Sequence, residues 1–244
     1  CCKMLTVNAA SGFGSGGGGG DEYWANVVLL LGMEGADTST TFTDESGSAH
    51  GAATVAGNAQ VVTAVAPPAD IGGSGVLKLD GSGDYLEFAD SADWILGSAF
   101  TIEFRIRPLS VSGRLAYVQQ KGASNQWLYG CNFTGGDKQY FDVNATGLVG
   151  VNGSAEAMSV GTWYSWALDY DGTTYRIYQD GVVGGTSVDA DAVPNVAAAL
   201  RIGSAYARAG WTDGNAYISE LRITTGVARY AGAYTVLAER FPRA

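Results

Sequence analysis

The chain has 244 residues, and 24 Asp and Glu outweigh 14 Lys and Arg to leave a formal net charge of −10. That balance argues against a nucleic-acid partner, since nothing here would release many counterions from a phosphate backbone. It contains no run approaching the ~20 apolar residues of a membrane-spanning helix, so membrane insertion is not expected.

The first 20 residues stand apart from the rest. Lys3 to Asn8 reads as one short strand, and Gly16 to Gly20 are five consecutive glycines. Polyglycine cannot repay its ordering entropy and behaves as a tether. Residues 1–20 are therefore expected to be an attachment peptide and tether, and 21–244 a single folded domain. Cys1 and Cys2 are neighbours that cannot easily bridge, and Cys131 lies among aromatic residues, so no disulfide framework is expected. A Cys at position 1 has three readings: removal of an initiator Met, a processed fragment, or a lipidated terminus.

From Asp21 onward, strand patterns follow at short intervals. Val27 to Leu31 is a buried run, followed by Gln60 to Val65, Val76 to Leu79 and Tyr85 to Phe88. Phe100 to Pro108 alternates apolar residues with Thr101, Glu103, Arg105 and Arg107, the period of a strand with one buried and one wet face. Leu115 to Val118, Trp127 to Cys131, Tyr140 to Val143, Thr162 to Tyr170, Thr174 to Gln179, Leu200 to Ile202 and Tyr217 to Ile223 continue the series. Asp-Gly pairs at 80, 171, 180 and 213 mark tight turns, and the pair at 171 predicts a hairpin of Tyr164–Tyr170 with Thr174–Tyr178. Thr225 to Tyr230 reads as a brief helical turn. The sum is an all-β antiparallel sandwich or jelly roll.

Several segments, in order, resemble one family. Tyr23-Trp24-Ala25-Asn26-Val27-Val28-Leu29-Leu30-Leu31 resembles the opening strand of laminin-G-like (concanavalin A-like) jelly-roll domains, and Phe42 to Gly47 their acidic turn. Leu79-Asp80-Gly81-Ser82-Gly83-Asp84-Tyr85-Leu86 matches their Asp-Gly-x-x-Asp-Tyr-Leu signature, and Phe100 to Pro108 their Phe-Thr-Ile-Glu-Phe strand with Arg105 in place of a Trp. Trp163-Tyr164, Tyr175 to Gly181 and Ile218 to Ile223 match three later strands. The glycine-rich lead and the Thr224 to Tyr230 ending look like forms found in tailed-bacteriophage virions. This resemblance implies a capsid-decoration or head or tail fibre component. It would be held to other virion proteins through residues 1–20, be homo-oligomeric on the particle, and turn a sandwich toward host surface glycans. The competing setting is a bacterial cell-surface lectin-like module, lipid-anchored at Cys1 or part of a glycan-active enzyme.

No catalytic constellation is expected. His50 is the only histidine and lies in a polar Gly/Ala-rich loop without a nucleophile elbow. The paired carboxylates of a glycosidase are missing, and Glu103 has Arg105 and Arg107 as same-face neighbours that would hold it ionised. The resemblance implies a Ca²⁺ site at the rim, with Asp44 from the acidic turn and Glu220 from the late strand as ligands; Ser219 stands where many relatives carry a second acid. For sugar stacking, Trp127, Tyr206 and Trp211 are the aromatic candidates. Trp211 leads them, because it lies in an apparent loop where Asp213 and Asn215 could bond sugar hydroxyls. Its truncation is expected to cost binding and spare stability.

Overall fold

A computed structural model describes residues 20–132, 138–143, 151–153, 158–206 and 208–244; the predicted strand at Lys3–Asn8 and the tether up to residue 19 lie outside them. The chain first forms β1 (Val27–Leu31), β2 (Thr54–Ala56), β3 (Gln60–Val62), β4 (Val76–Asp80), β5 (Tyr85–Phe88) and the long β6 (Phe100–Pro108). β7 (Arg114–Lys121), β8 (Gln126–Asn132), β9 (Lys138–Val143) and β10 (Val151–Gly153) follow as successive antiparallel neighbours. β11 (Tyr164–Tyr170), β12 (Thr174–Gln179) and β13 (Val182–Val188) form a second such run. β14 (Leu200–Ile202), β15 (Thr212–Asp213) and β16 (Asn215–Thr225) complete the set.

These strands make two sheets. The first runs β13-β12-β11-β6-β16-β4-β3, and the second β10-β9-β8-β7-β14-β5-β2 with the short β15 parallel to β7. β16 has two neighbours on one side: its first residues pair with β4 and, beyond a register shift between Ile218 and Leu221, its last pair with β1. The crossovers that set β6 beside β16 and β7 beside β14 give the jelly-roll connectivity of an all-β sandwich. Between the sheets the apolar faces meet in one core, in which Phe104, Tyr117, Tyr129 and Trp166 pack ring to ring with centroids 5.6 to 6.2 Å apart.

Local chemistry explains the turns. In the hairpin of β11 with β12, Asp171 Oδ1 accepts from the backbone N–H groups of Thr173 and Thr174, an Asx turn that fixes the register Tyr170↔Tyr175. Between β12 and β13, Asp180 and Gly181 both have positive φ, 50° and 79°, which is why an Asp-Gly pair closes that tight hairpin.

The wet face expected for β6 is buried instead. Thr101, Glu103 and Arg105 are 0%, 2% and 4% exposed. The cause is the segment after β16, residues 226–244, which lies across the outer face of the first sheet. Arg105 Nη2 donates to Leu237 O at 3.0 Å, and Phe241 packs on Val27 and Leu30. Glu103 finds its partners on the neighbouring β16 and in this segment, not on its own strand: Arg222 Nε of β16 donates to it at 2.9 Å and Tyr230 Oη at 2.7 Å. Burial alone would raise its pKa, but Arg222, Arg229 and the Tyr230 hydroxyl outweigh that and hold the carboxyl below the usual range. Arg222 and Arg229 also grip Asp21, at 2.6 and 2.9 Å, so both ends of the domain tie into one buried charge network.

Where a helical turn was expected at Thr225–Tyr230, Thr225 ends β16 and residues 226–230 are irregular backbone. Their donors are spent on the sheet: Arg229 N on Thr101 Oγ1 at 3.0 Å and Tyr230 N on Asp169 Oδ2 at 3.1 Å.

Candidate functional site

The outer face of the second sheet is built differently. Cα pairings set Glu87, Arg201, Gln119, Leu128 and Asp142 side by side across β5, β14, β7, β8 and β9. The alternation of these strands turns Leu86, Leu200 and Ile202 to the core, which leaves this row facing outward. A register shift in β7 between Ala116 and Val118 sends Tyr117 and Val118 to the core and Ala116 to the outer face.

Residues 203–206 and 208–214 cross this row. Asp213 braces them, accepting from Ala205 N at 2.7 Å and from Gly83 N, on a neighbouring turn, at 2.9 Å. Both carboxylate oxygens are therefore used inside the fold, contrary to the expectation that Asp213 awaits a sugar hydroxyl. Trp211 is also placed otherwise than expected. It is 8% exposed and packs with Ala116, Leu128 and Ala205, its ring 5.4 Å from that of Tyr140. Gly130 permits this seat, since a Cβ there would stand 3.1 Å from Trp211 Cζ3. Trp211 is thus a wedge holding the loop on the sheet, not a displayed ring. Arg208 covers it at 5.2 Å and pairs with Asp142.

Trp127 is an interior residue, 1% exposed, with Nε1 donating to Gln120 Oε1 at 2.9 Å and its ring against Phe141. Its outward-facing role is overturned because β8 turns position 127 to the core.

Tyr206 alone of the three remains partly exposed. It has φ +47°, a left-handed conformation that is rare for a residue with a Cβ. Its ring centroid lies 3.9 Å from the Arg201 guanidinium carbon, and Tyr85 lies 4.3 Å from the same carbon. Arg201 is therefore flanked by two tyrosine rings, while its Nε donates to Glu87 Oε2 at 2.6 Å. Lys121 Nζ donates to Tyr206 O at 3.0 Å and stands 5.7 Å from the ring. Sequence reasoning missed Arg201, Tyr85 and Lys121. The only local signal was an outward polar position in the alternation Leu200-Arg201-Ile202; Glu87 and Arg201 are 114 residues apart.

The residues proposed for calcium do not fit a hard cation. Asp44 accepts from Leu30 N, Ser46 N, Ser46 Oγ and His50 N, all at 2.9–3.0 Å, and so acts as the knot of its own turn. Glu220 accepts from Arg240 Nε and Arg243 Nη1 at 3.0 Å and from Phe241 N at 2.7 Å. Arg243 also reaches Glu45, so guanidinium groups already neutralise the carboxylates at this rim. No group of three or more His, Cys, Asp and Glu among the described residues is placed to hold a metal.

A cavity of about 250 Å³ beside this rim is lined by Met33, Phe42, Ser39, Glu34 and Glu45, and both of its carboxylates are likewise paired, with Arg240 and Arg243. His50 is not a solvated loop residue either. It lies 3.0 Å from Asp93 and 4.3 Å from the Trp94 ring.

Comparison with known proteins agrees with this geometry. The family model of the concanavalin A-like lectin/glucanases superfamily matches residues 80–229. No curated protein matches the sequence. Domain 4 of AbnA, an extracellular GH43 arabinanase of Geobacillus stearothermophilus captured with arabinotriose, superposes with a TM-score of 0.61 at 15% identity, over 83% of this chain and 94% of that one. The binding domain of Paraclostridial Mosquitocidal Protein 1 gives 0.62 at 14% identity over 86% of this chain. That of Botulinum Neurotoxin DC in complex with SialylT gives 0.59 at 16% over 83%. The chain spans about half the length of these last two, 51% and 48%. At such identities the likeness is one of fold. Among the described residues no helix is long and apolar enough to cross a membrane.

Proposed function

The chain belongs to the concanavalin A-like lectin/glucanases superfamily, and on that premise we propose that it is a non-enzymatic carbohydrate-binding sandwich displayed on a bacteriophage particle. Residues 1–20 attach it to other virion proteins, and the domain faces host surface glycans. The observation that carries the binding half is the second sheet's outer face, where partly exposed tyrosines and cations with spare donors stand together. Sugar rings use such surfaces, stacking an apolar face on an aromatic and giving hydroxyls to fixed polar groups. Neighbours of the same fold captured with arabinotriose and with SialylT support this reading.

The non-enzymatic half rests on how the acids are spent. Glu103, Glu220 and Asp44 each accept from two or more donors inside the fold, which leaves none of them poised to deliver or remove a proton. The virion half rests on the layout of sticky peptide, glycine tether and sandwich. Deleting residues 1–20 is expected to abolish incorporation into particles while the domain keeps its β-rich circular dichroism spectrum. A truncated domain that still decorates particles defeats the attachment reading, and a glycan array on which the intact protein binds nothing defeats the lectin reading.

A further inference from the structure

We propose that the Tyr85–Arg201–Tyr206 clamp is the recognition point for a carboxylate, so that the ligand is an acidic glycan; the inference rests on the lectin-like reading and names its ligand class. An arginine on a sheet surface is ordinarily mobile. Arg201 is not, because rings at 4.3 and 3.9 Å hold its guanidinium from two sides. Glu87 takes Nε at 2.6 Å, which sets the rotation of the fork. Among the described residues neither Nη nitrogen has a hydrogen-bond partner. The side chain remains 19% exposed, and neither Nη is among the buried unpaired atoms, so the two donors reach solvent. A planar guanidinium with its orientation fixed and two free parallel donors matches a carboxylate bidentately, which a hydroxyl cannot exploit.

The surroundings repeat the theme. Lys121 adds a second cation beside Tyr206 and has no acidic partner among the described residues. Tyr206 keeps its left-handed backbone because the loop around it is over-determined. Its N–H donates to Ser204 Oγ at 3.0 Å, Asp213 holds Ala205 N at 2.7 Å, and its carbonyl takes Lys121. Strain maintained in this way marks positions where a side chain must point in one direction. The flanking ring edges offer apolar surface to the C–H face of the same sugar. The net charge of −10 does not forbid an acidic ligand, since beyond a Debye length of about 8 Å in physiological salt those charges are screened and local cations decide.

The test is affinity electrophoresis of the full chain through gels holding polygalacturonate or oligosialic acid, each beside its methyl ester. Retention by at least one acid, with affinity for its ester lower by about tenfold or more, is expected. Arg201→Lys, which keeps the charge and loses the fork, should weaken binding by a similar factor, and retention should fall as salt rises. The ester comparison needs no variant and so decides the matter even if an Arg201 variant fails to fold. Equal retention by acid and ester, retention by neither acid, or unaltered binding by a folded Arg201→Lys protein overturns the proposal. Should a glycan array then show binding to neutral sugars only, the lectin-like reading survives without it; binding to nothing ends both.

Discussion

The two sheets of this sandwich treat charge on their outer faces in opposite ways. On the first, Asp21, Glu103, Arg222 and Arg229 are buried beneath the terminal segments and bonded to one another. On the second, Arg201 and Lys121 are clamped by rings and a carbonyl yet stay partly exposed, and Arg201 keeps donors to spare. A saturated buried network contributes by forbidding any arrangement that would strand one of its members, and it has nothing left for a ligand. A partly exposed cation with fixed orientation is ready to bind. The same residue types therefore mark structure on one face and recognition on the other.

Breaking the network should have the largest effect. Arg222→Met strands Glu103 and weakens the hold on Asp21, and is expected to cost about 3–5 kcal/mol in urea unfolding. Next comes Trp211→Ala, which empties the wedge under the loop; about 3 kcal/mol of lost stability is expected. Any loss of glycan binding in that variant would follow from loosening Tyr206. A Trp211→Ala protein with unchanged stability would reopen the case for a displayed ring.

A pH series sharpens the contrast further. Burial pushes Asp169 up to about 7 from the ordinary 3.8, against the opposing pull of the Tyr178 hydroxyl, Arg176 and the Tyr230 N–H. The folded protein then binds a proton that the unfolded chain releases between those values. That stabilisation is complete below the unfolded value and disappears as pH rises through about 7. Glu103 and Asp21 are shifted downward, so their contribution is lost only in acid, below the ordinary carboxylate range. Unfolding free energy should therefore decline between about pH 5 and about pH 8, and Asp169→Asn should flatten that decline. An unchanged slope in the variant would locate the titration elsewhere.

The smallest effects are expected at Arg201 and Glu220. Arg201→Gln should change stability by no more than about 1 kcal/mol, in contrast with Arg222. Millimolar calcium should move the melting midpoint by less than about 1 °C, because Glu220 is already neutralised by Arg240 and Arg243. A clear calcium-dependent rise would show that those arginines yield to the ion.

Strand positions, the all-β class and the hairpin at Asp171-Gly172 were legible in the sequence, because alternation and Asp-Gly turns act over a few residues. The short β2, β10 and β15 were not among the expected strands, and β13 escaped notice too: Val182-Val183-Gly184-Gly185-Thr186-Ser187-Val188 is a half-exposed edge strand without clean alternation. The sequence by itself also determined which acids and aromatics the domain has to work with, and the order of segments that places it in its family. Only the tertiary structure decided which of them are buried. The charged side of β6 was read as wet because period two distinguishes two faces but cannot see residues 226–244 lying across one of them. The same limit misplaced Trp211, whose loop looks exposed in one dimension and lies against Gly130 in three. It also hid Arg201, whose two rings and carboxylate come from strands and loops joined only by the fold. Pairings across such separations depend on sheet topology, and a local pattern carries no information about that.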